Sequence, residues 1–251
     1  RFILVAIGFL FFSIFLKEKI RVSRKFIFEA CVSGILFHGF YLGGVFYAIS
    51  LGLQASIAAL IVSIQPILTN IFAGPFLNEK INWKQWLGII LGFFGTILVL
   101  GLEIGESIPI IGLLSAFLAL LAATIATLWQ KKLSGKLPLP VSNFYQAIGA
   151  SIFLFFAMLI IEDPYINFNS AFILSISWQI FVVSFGAFTI LMYLIKVGTA
   201  SKTSNLFFLI PPVSALMAWF FLKEIITLYD IVGLLISSVG VYIGTRENNF
   251  K

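Results

Sequence analysis

IVSIQPILTNIFAGPFLNEKINWKQWLGIILGFFG, residues 61–95, has a second, diverged copy in the same chain. Shifted by 145 positions it falls on LFFLIPPVSALMAWFFLKEIITLYDIVGLLISSVG, residues 206–240. Pro66 lands on Pro211, Ala73 on Ala218, Phe76 and Leu77 on Phe221 and Leu222, Glu79 on Glu224, Ile81 on Ile226, Gly88 on Gly233 and Gly95 on Gly240. Apolar coincidences are common in so hydrophobic a chain. A Pro, a Glu and two Gly in one register are not, because each is rare in an apolar run and each has a backbone or charge role. The pattern is that of an internal duplication.

The surroundings of the two copies set the class. Of 251 residues, 61% are hydrophobic and 10% charged, with a mean hydropathy of +1.10. A soluble domain is roughly half apolar and a quarter charged, so the expected medium is a lipid bilayer. Continuous apolar runs of about 20 residues call for helices, since a membrane barrel would alternate over short strands. The net charge of +6 raises the question of a nucleic-acid partner. The basic residues fall between apolar segments and form no patch, which excludes that partner. The single Cys31 excludes an internal disulfide and a cysteine metal cluster, and no cofactor is implied.

Nine apolar spans are expected, at residues 2–16, 26–50, 54–77, 86–102, 110–130, 141–161, 175–196, 201–222 and 231–245. If the basic loop after the first span faces the cytoplasm, 14 of the 16 Lys and Arg residues fall inside, and only Arg1 and Lys223 fall outside. This excess fixes the expected orientation, with a cytoplasmic C terminus. Glu103, Glu106, Glu162, Asp163, Glu224 and Asp230 then lie outside. Glu79 and Glu224 face opposite sides, which requires an odd number of spans per copy. The second half has five spans and the first has four, so the expectation is a ten-helix fold of two inverted five-helix repeats whose first helix precedes Arg1. The repeats are placed at residues 1–102 and 110–246. Inverted repeats with interrupted helices are a signature of secondary transporters, whose halves exchange conformations.

Ala55, Ser56, Pro66, the Phe76-Leu77-Asn78-Glu79 turn, Gly88 and Gly95 recur as Ala200, Ser201, Pro211, Phe221-Leu222-Lys223-Glu224, Gly233 and Gly240. This set resembles the two EamA-type halves of the drug/metabolite transporter superfamily, over essentially the whole chain. The resemblance implies a ten-helix carrier of the bacterial inner membrane, often an exporter of amino acids or other metabolites, with a central cavity between the halves. It also implies that the helix preceding Arg1 lines that cavity.

Candidate solute-binding residues follow from polarity at depth. Pro66, Pro211 and Pro212 each remove a ladder bond and free the carbonyls of Val62, Phe207 and Phe208, which a neighbouring helix, water or a solute can take up. Ser56, Ser63, Pro66 and Asn70 share one helical stripe, with Gln65 and Thr69 a step around it. Ser201, Ser204, Asn205, Phe208 and Pro212 form the counterpart. Such groups are costly against lipid and should face protein or water; interhelical hydrogen bonds are the structural reading and solute contact by Gln65, Asn70 and Asn205 the functional one. His38, with Gly34 and Tyr41 on its face, is either a neutral histidine bonded to a backbone carbonyl or a titrating group in proton-coupled transport. Tyr193, with Thr189 a turn before it, is a further candidate. Gly88, Gly92 and Gly95, repeated as Gly233, Ser237 and Gly240, are read as packing residues, the five tryptophans as interfacial belts near span ends, and Glu79 and Glu224 as turn or cap residues.

Three function classes compete. A membrane-embedded enzyme needs a nucleophile with its base, or paired carboxylates within the membrane, yet the chain has one His and no two acids in one span. A passive channel does not account for broken helices in both copies. A secondary transporter accounts for both. A multidrug or cation efflux carrier needs an intramembrane carboxylate, and Glu29, the deepest acid, lies only a turn inside its span. The interior instead suits a small polar, neutral or zwitterionic metabolite, such as an amino acid, moved with or without a coupling proton or ion.

Overall fold

The computed structural model describes residues 1–101, 109–161, 166–223 and 225–246. Glu103, Glu106, Glu162, Asp163 and Glu224, which the topology reading placed outside, lie beyond the described residues. The chain is helical nearly throughout. We number its rods α1 (Phe2–Phe15), α2 (Arg24–Ser50), α3 (Ala55–Leu77), α4 (Trp83–Leu100), α5 (Ile110–Leu133), α6 (Leu139–Ile161), α7 (Ser170–Val197), α8 (Ala200–Phe221) and α9 (Leu228–Thr245).

Eight of the rods, α2 to α9, are long and apolar enough to cross a membrane. The ninth rod, α1, is a shorter apolar helix of 14 residues. It closes where Lys17 turns left-handed at φ 56. A correction concerns α7, which starts at Ser170 because Asn169 caps it, its side chain accepting from Phe172 N at 2.8 Å. Trp178 therefore sits two turns inside the helix and not at its end.

Local features recur at the interval of the sequence copies. A capping box opens α4, where the Asn82 side chain accepts from Gln85 N and the Gln85 side chain from Asn82 N, both at 2.9 Å. A second opens α9 between Thr227 and Asp230, 145 positions on. Asn78 ends α3 with φ 57 and Lys223 ends α8 with φ 59, again 145 apart. Both α2 and α7 carry a π-helical stretch, Ile35–Gly43 and Gln179–Ala187. Such i→i+5 segments admit an extra residue per turn and are frequent at functional sites.

The chain divides into two compact units, each drawing on an earlier and a later part of the sequence. The first comprises Arg1–Gly43 and Trp129–Val197. Here α2 lies backbone to backbone on α6: a Cβ on Gly34 would meet Gln146 O at 2.0 Å, and one on Gly149 would meet Cys31 O at 2.4 Å. Cys31 Sγ donates to Tyr145 O at 3.3 Å. Val5, Ala6 and Phe9 of α1 are buried with Ala147 and Ile180.

The second unit comprises Gly44–Leu128 and Gly198–Lys251. Its axis is a seam between α4 and α9. A Cβ on Gly88 would stand 2.5 Å from Gly240 O, and one on Gly95 would stand 2.7 Å from Gly233 O. Likewise a Cβ on Gly240 meets Gly92 N at 2.5 Å and one on Gly95 meets Ser237 N at 2.6 Å. The small-residue stripes are therefore packing surfaces, as read from the sequence, and each is the other's partner. Ile89, Phe208 and Val241 close the core beside them.

Candidate functional site

In the second unit Pro66, Pro211 and Pro212 act as helix starters. The α3 rod breaks at Ser63 and Ile64, and a fresh helix, Gln65–Leu77, begins with Pro66 in its first turn. There a missing N–H removes no bond, so the break and not the ring turns the chain. In α8 a 3-10 stretch, Leu206–Leu209, precedes the helix Ile210–Met217, whose first turn holds Pro211 and Pro212. The carbonyl of Phe208, freed by Pro212, accepts from Thr96 Oγ1 of α4 at 3.3 Å. For that carbonyl a neighbouring helix is the partner.

The breaks gather the predicted amides. Gln65, Asn70 and Asn205 are all at most 1% exposed. Asn70 Nδ2 donates to Pro66 O at 2.7 Å and to Asn205 Oδ1 at 2.9 Å, which joins the stripes of α3 and α8. Gln65 Nε2 donates to Thr69 Oγ1 at 3.0 Å and to Thr127 Oγ1 of α5 at 3.1 Å. Gln65 Oε1, Asn70 Oδ1 and Asn205 Nδ2 are buried without a partner among the described residues. Each such group costs about 1–3 kcal/mol. The cluster thus holds two acceptors and a donor with unused hydrogen-bonding capacity. Pro66 and Pro212 are buried and Pro211 half-buried.

The first unit places His38 and Tyr41 on the π segment of α2. His38 is 5% exposed, caged by Phe2, Phe37 and Phe188 with ring centroids 4.6, 5.4 and 4.5 Å away. Its Nδ1 has no partner among the described residues. The half-buried Tyr41 packs edge-on against Phe37 at 5.2 Å. Tyr193 is 55% exposed on α7, and Thr189 Oγ1 is buried without a partner among the described residues.

Sequence reasoning missed Gln130, Asn143 and Gln146. Gln130 passed for the last residue of a span, yet it is 4% exposed, because α5 runs a turn further to Leu133. Amides three residues apart on α6, opposite a third near the end of α5, were the available signal. Every buried polar side chain among the described residues is a Ser, Thr, Asn, Gln or His, and their interior holds no buried acid or fixed cation. Glu79, by contrast, is a cap as expected: it accepts from Ala200 N at 2.8 Å, Ser201 N at 3.1 Å and Ser201 Oγ at 2.7 Å.

Apolar rods of membrane length, broken around buried and uncharged amides, define a polytopic helical membrane protein. The profile of the EamA-like transporter family matches residues 1–101 and 110–246, and the chain belongs to that family. Transporter YvbV of Bacillus subtilis (strain 168) is 29% identical over 233 residues, 87% of this chain and 72% of that protein. The "Probable amino-acid metabolite efflux pump" of Escherichia coli (strain K12) is 23% identical over 97% of this chain and 82% of its own length. The "S-adenosylmethionine uptake transporter" of Rickettsia felis is 27% identical over 83% and 67%. A crystal structure 18% identical in sequence superposes with a TM-score of 0.82 over 97% of this chain and 84% of that one, a likeness of fold.

Proposed function

We propose that this chain is a secondary carrier that exports a small polar, neutral or zwitterionic metabolite, with an amino acid as the leading substrate, by alternating access across the bacterial inner membrane. The observation that carries the reading is the cluster of Gln65, Asn70 and Asn205, fully buried, uncharged and left with unused hydrogen-bonding atoms. A lipophilic cation would need a carboxylate at such depth; amides and hydroxyls suit a solute recognised through hydrogen bonds. Pro66, Pro211, Pro212, His38, Tyr41 and Tyr193 are proposed as further solute contacts, and a proton or ion as the coupling species. The family and the names of its relatives support transport over catalysis.

Alternating access rests on an inverted duplication with repeats at residues 1–102 and 110–246. Support comes from the recurring capping boxes and left-handed ends, and from the α4–α9 seam. In the seam, Gly88 against Gly240 has its counterpart in Gly95 against Gly233, as a two-fold relation between copies demands. The excess of Lys and Arg on one side supports a cytoplasmic C terminus.

The test is flux in proteoliposomes loaded with labelled amino acids. Saturable export, driven uphill by an imposed proton or ion gradient, is expected, with Glu29→Gln nearly silent. Efflux of ethidium that Glu29→Gln abolishes would replace this reading with cation export.

A further inference from the structure

Basic residues that the sequence scatters over separate loops are gathered by the fold of the first unit. All of its Lys and Arg residues except Arg1 lie in the loop after α1, the first turn of α2, the stretch from the last turn of α5 to α6, or the end of α7. Tyr145 Oη donates to Ile20 O at 3.1 Å, which pins the loop after α1 to the start of α6. Val22 and Phe26 pack with Leu133 and Leu137, and the Lys136 ammonium lies 5.7 Å from the centre of the Phe26 ring. These contacts bring Arg21, Arg24 and Lys25 to the same end of the unit as Lys132 and Lys136. All five are exposed, and Glu18 and Glu29 are the acids of this end among the described residues.

Arg24 and Lys25 occupy a place that disfavours cations. A helix N-terminus carries partial positive charge and favours anions, yet the first turn of α2 has no acid and its N-cap Ser23 makes no side-chain cap bond. An anion held here offsets both the dipole and the crowding of like charges. The surface next to the cations is apolar. Phe28, one turn from Arg24 and Lys25 on the same face of α2, is 68% exposed, and Phe15 at the end of α1 is 73% exposed. Cations above bare hydrocarbon call for an anion that carries hydrocarbon of its own. We propose that this end of the first unit binds the headgroup of an anionic phospholipid, with the phosphate among Arg24, Lys25 and Lys136 and an acyl chain along Phe28. A soluble anion would satisfy the charge and leave the apolar surface uncovered. The lipid site stands apart from the amide cluster and does not depend on the carrier reading.

The test is lipid binding to the purified chain in a neutral detergent, read by native mass spectrometry, with phosphatidylglycerol, phosphatidylethanolamine and inorganic phosphate as probes. Phosphatidylglycerol should bind at least tenfold more tightly than phosphatidylethanolamine, and a large excess of inorganic phosphate should not displace it. Arg24→Gln combined with Lys136→Gln should weaken phosphatidylglycerol at least tenfold. Lys80→Gln combined with Arg246→Gln, which removes two exposed cations of the second unit, should leave the affinity within twofold. Arg24→Lys combined with Lys136→Arg keeps both charges and should keep the binding, which separates lost charge from lost fold. Wild-type affinity in the first glutamine pair, equal losses in the two glutamine pairs, or an equal loss in the charge-conserving pair overturns the site. Displacement by phosphate alone, or equal affinity for the two lipids, overturns it as well.

Discussion

The Glu79 carboxylate and the Ser201 hydroxyl meet at 2.7 Å, although 122 residues separate them in the chain. The same carboxylate takes the first two N–H groups of α8, so an acid from the loop after α3 caps a helix of the second sequence copy. A negative charge at a helix N-terminus gains from both the unpaired donors and the helix dipole. Glu79→Ala should cost about 1–2 kcal/mol, and Ser201→Ala less. A thermal-unfolding double-mutant cycle checks the link: coupling below about 0.5 kcal/mol would mean that the two groups act independently.

Lys223 holds a left-handed backbone at φ 59 without the glycine that this conformation favours. Its counterpart Asn78, at φ 57, pays little, because asparagine tolerates the region. Lys223→Gly should therefore stabilise the protein by about 1 kcal/mol, whereas Asn78→Gly should change little. A lowered melting temperature for Lys223→Gly would count against strain at this turn.

Gly88→Ala should abolish folding, since the added methyl would lie 2.5 Å from the Gly240 carbonyl and 2.5 Å from Gly244 N. Backbone on both sides leaves no flexible group to yield. Gly186→Ala, whose nearest neighbour would be Phe181 O at 3.6 Å, should be tolerated. Size-exclusion profiles of the two variants in detergent decide between steric and general intolerance of alanine.

Asn70→Leu leaves Asn205 buried with neither amide atom bonded to Asn70, and Asn205→Leu does the converse. Each should reduce flux at least tenfold and lower the unfolding midpoint. The double variant removes both polar groups, so it should recover stability without recovering flux. Restored flux in the double variant would assign the pair to folding alone.

Single cysteines at Lys132 and Asn167, both exposed, in a Cys31→Ser background report orientation. An impermeant maleimide should label position 167 in intact cells and position 132 only after lysis. The opposite result reverses the proposed topology.

The helical rods were legible because apolar runs and punctuation by Gly, Pro and charge are local properties. The glycine stripes of α4 and α9 were legible for the same reason. Their mutual contact was not, nor was the bond from Asn70 to Asn205, since pairing partners lie 135 or more positions apart and no spacing rule names them. The π segments escaped because both stretches are apolar on nearly every side, so a changed number of residues per turn leaves no stripe to betray it. Gln130 escaped because a residue near a span end looks solvated until the tertiary fold covers it.

The glycine seam has a consequence for direction. Each of its close contacts is matched by one in which the two copies trade places, so exchanging the conformations of the copies returns the same set of contacts. For the alternating-access carrier proposed above, such an axis would be a neutral fulcrum, bearing on whether the protein folds and not on which way it tilts. The bias between its inward and outward states would then come from contacts without a twin, and a substitution in the seam should change the amount of protein in the membrane while leaving the balance of the two proposed states where it was.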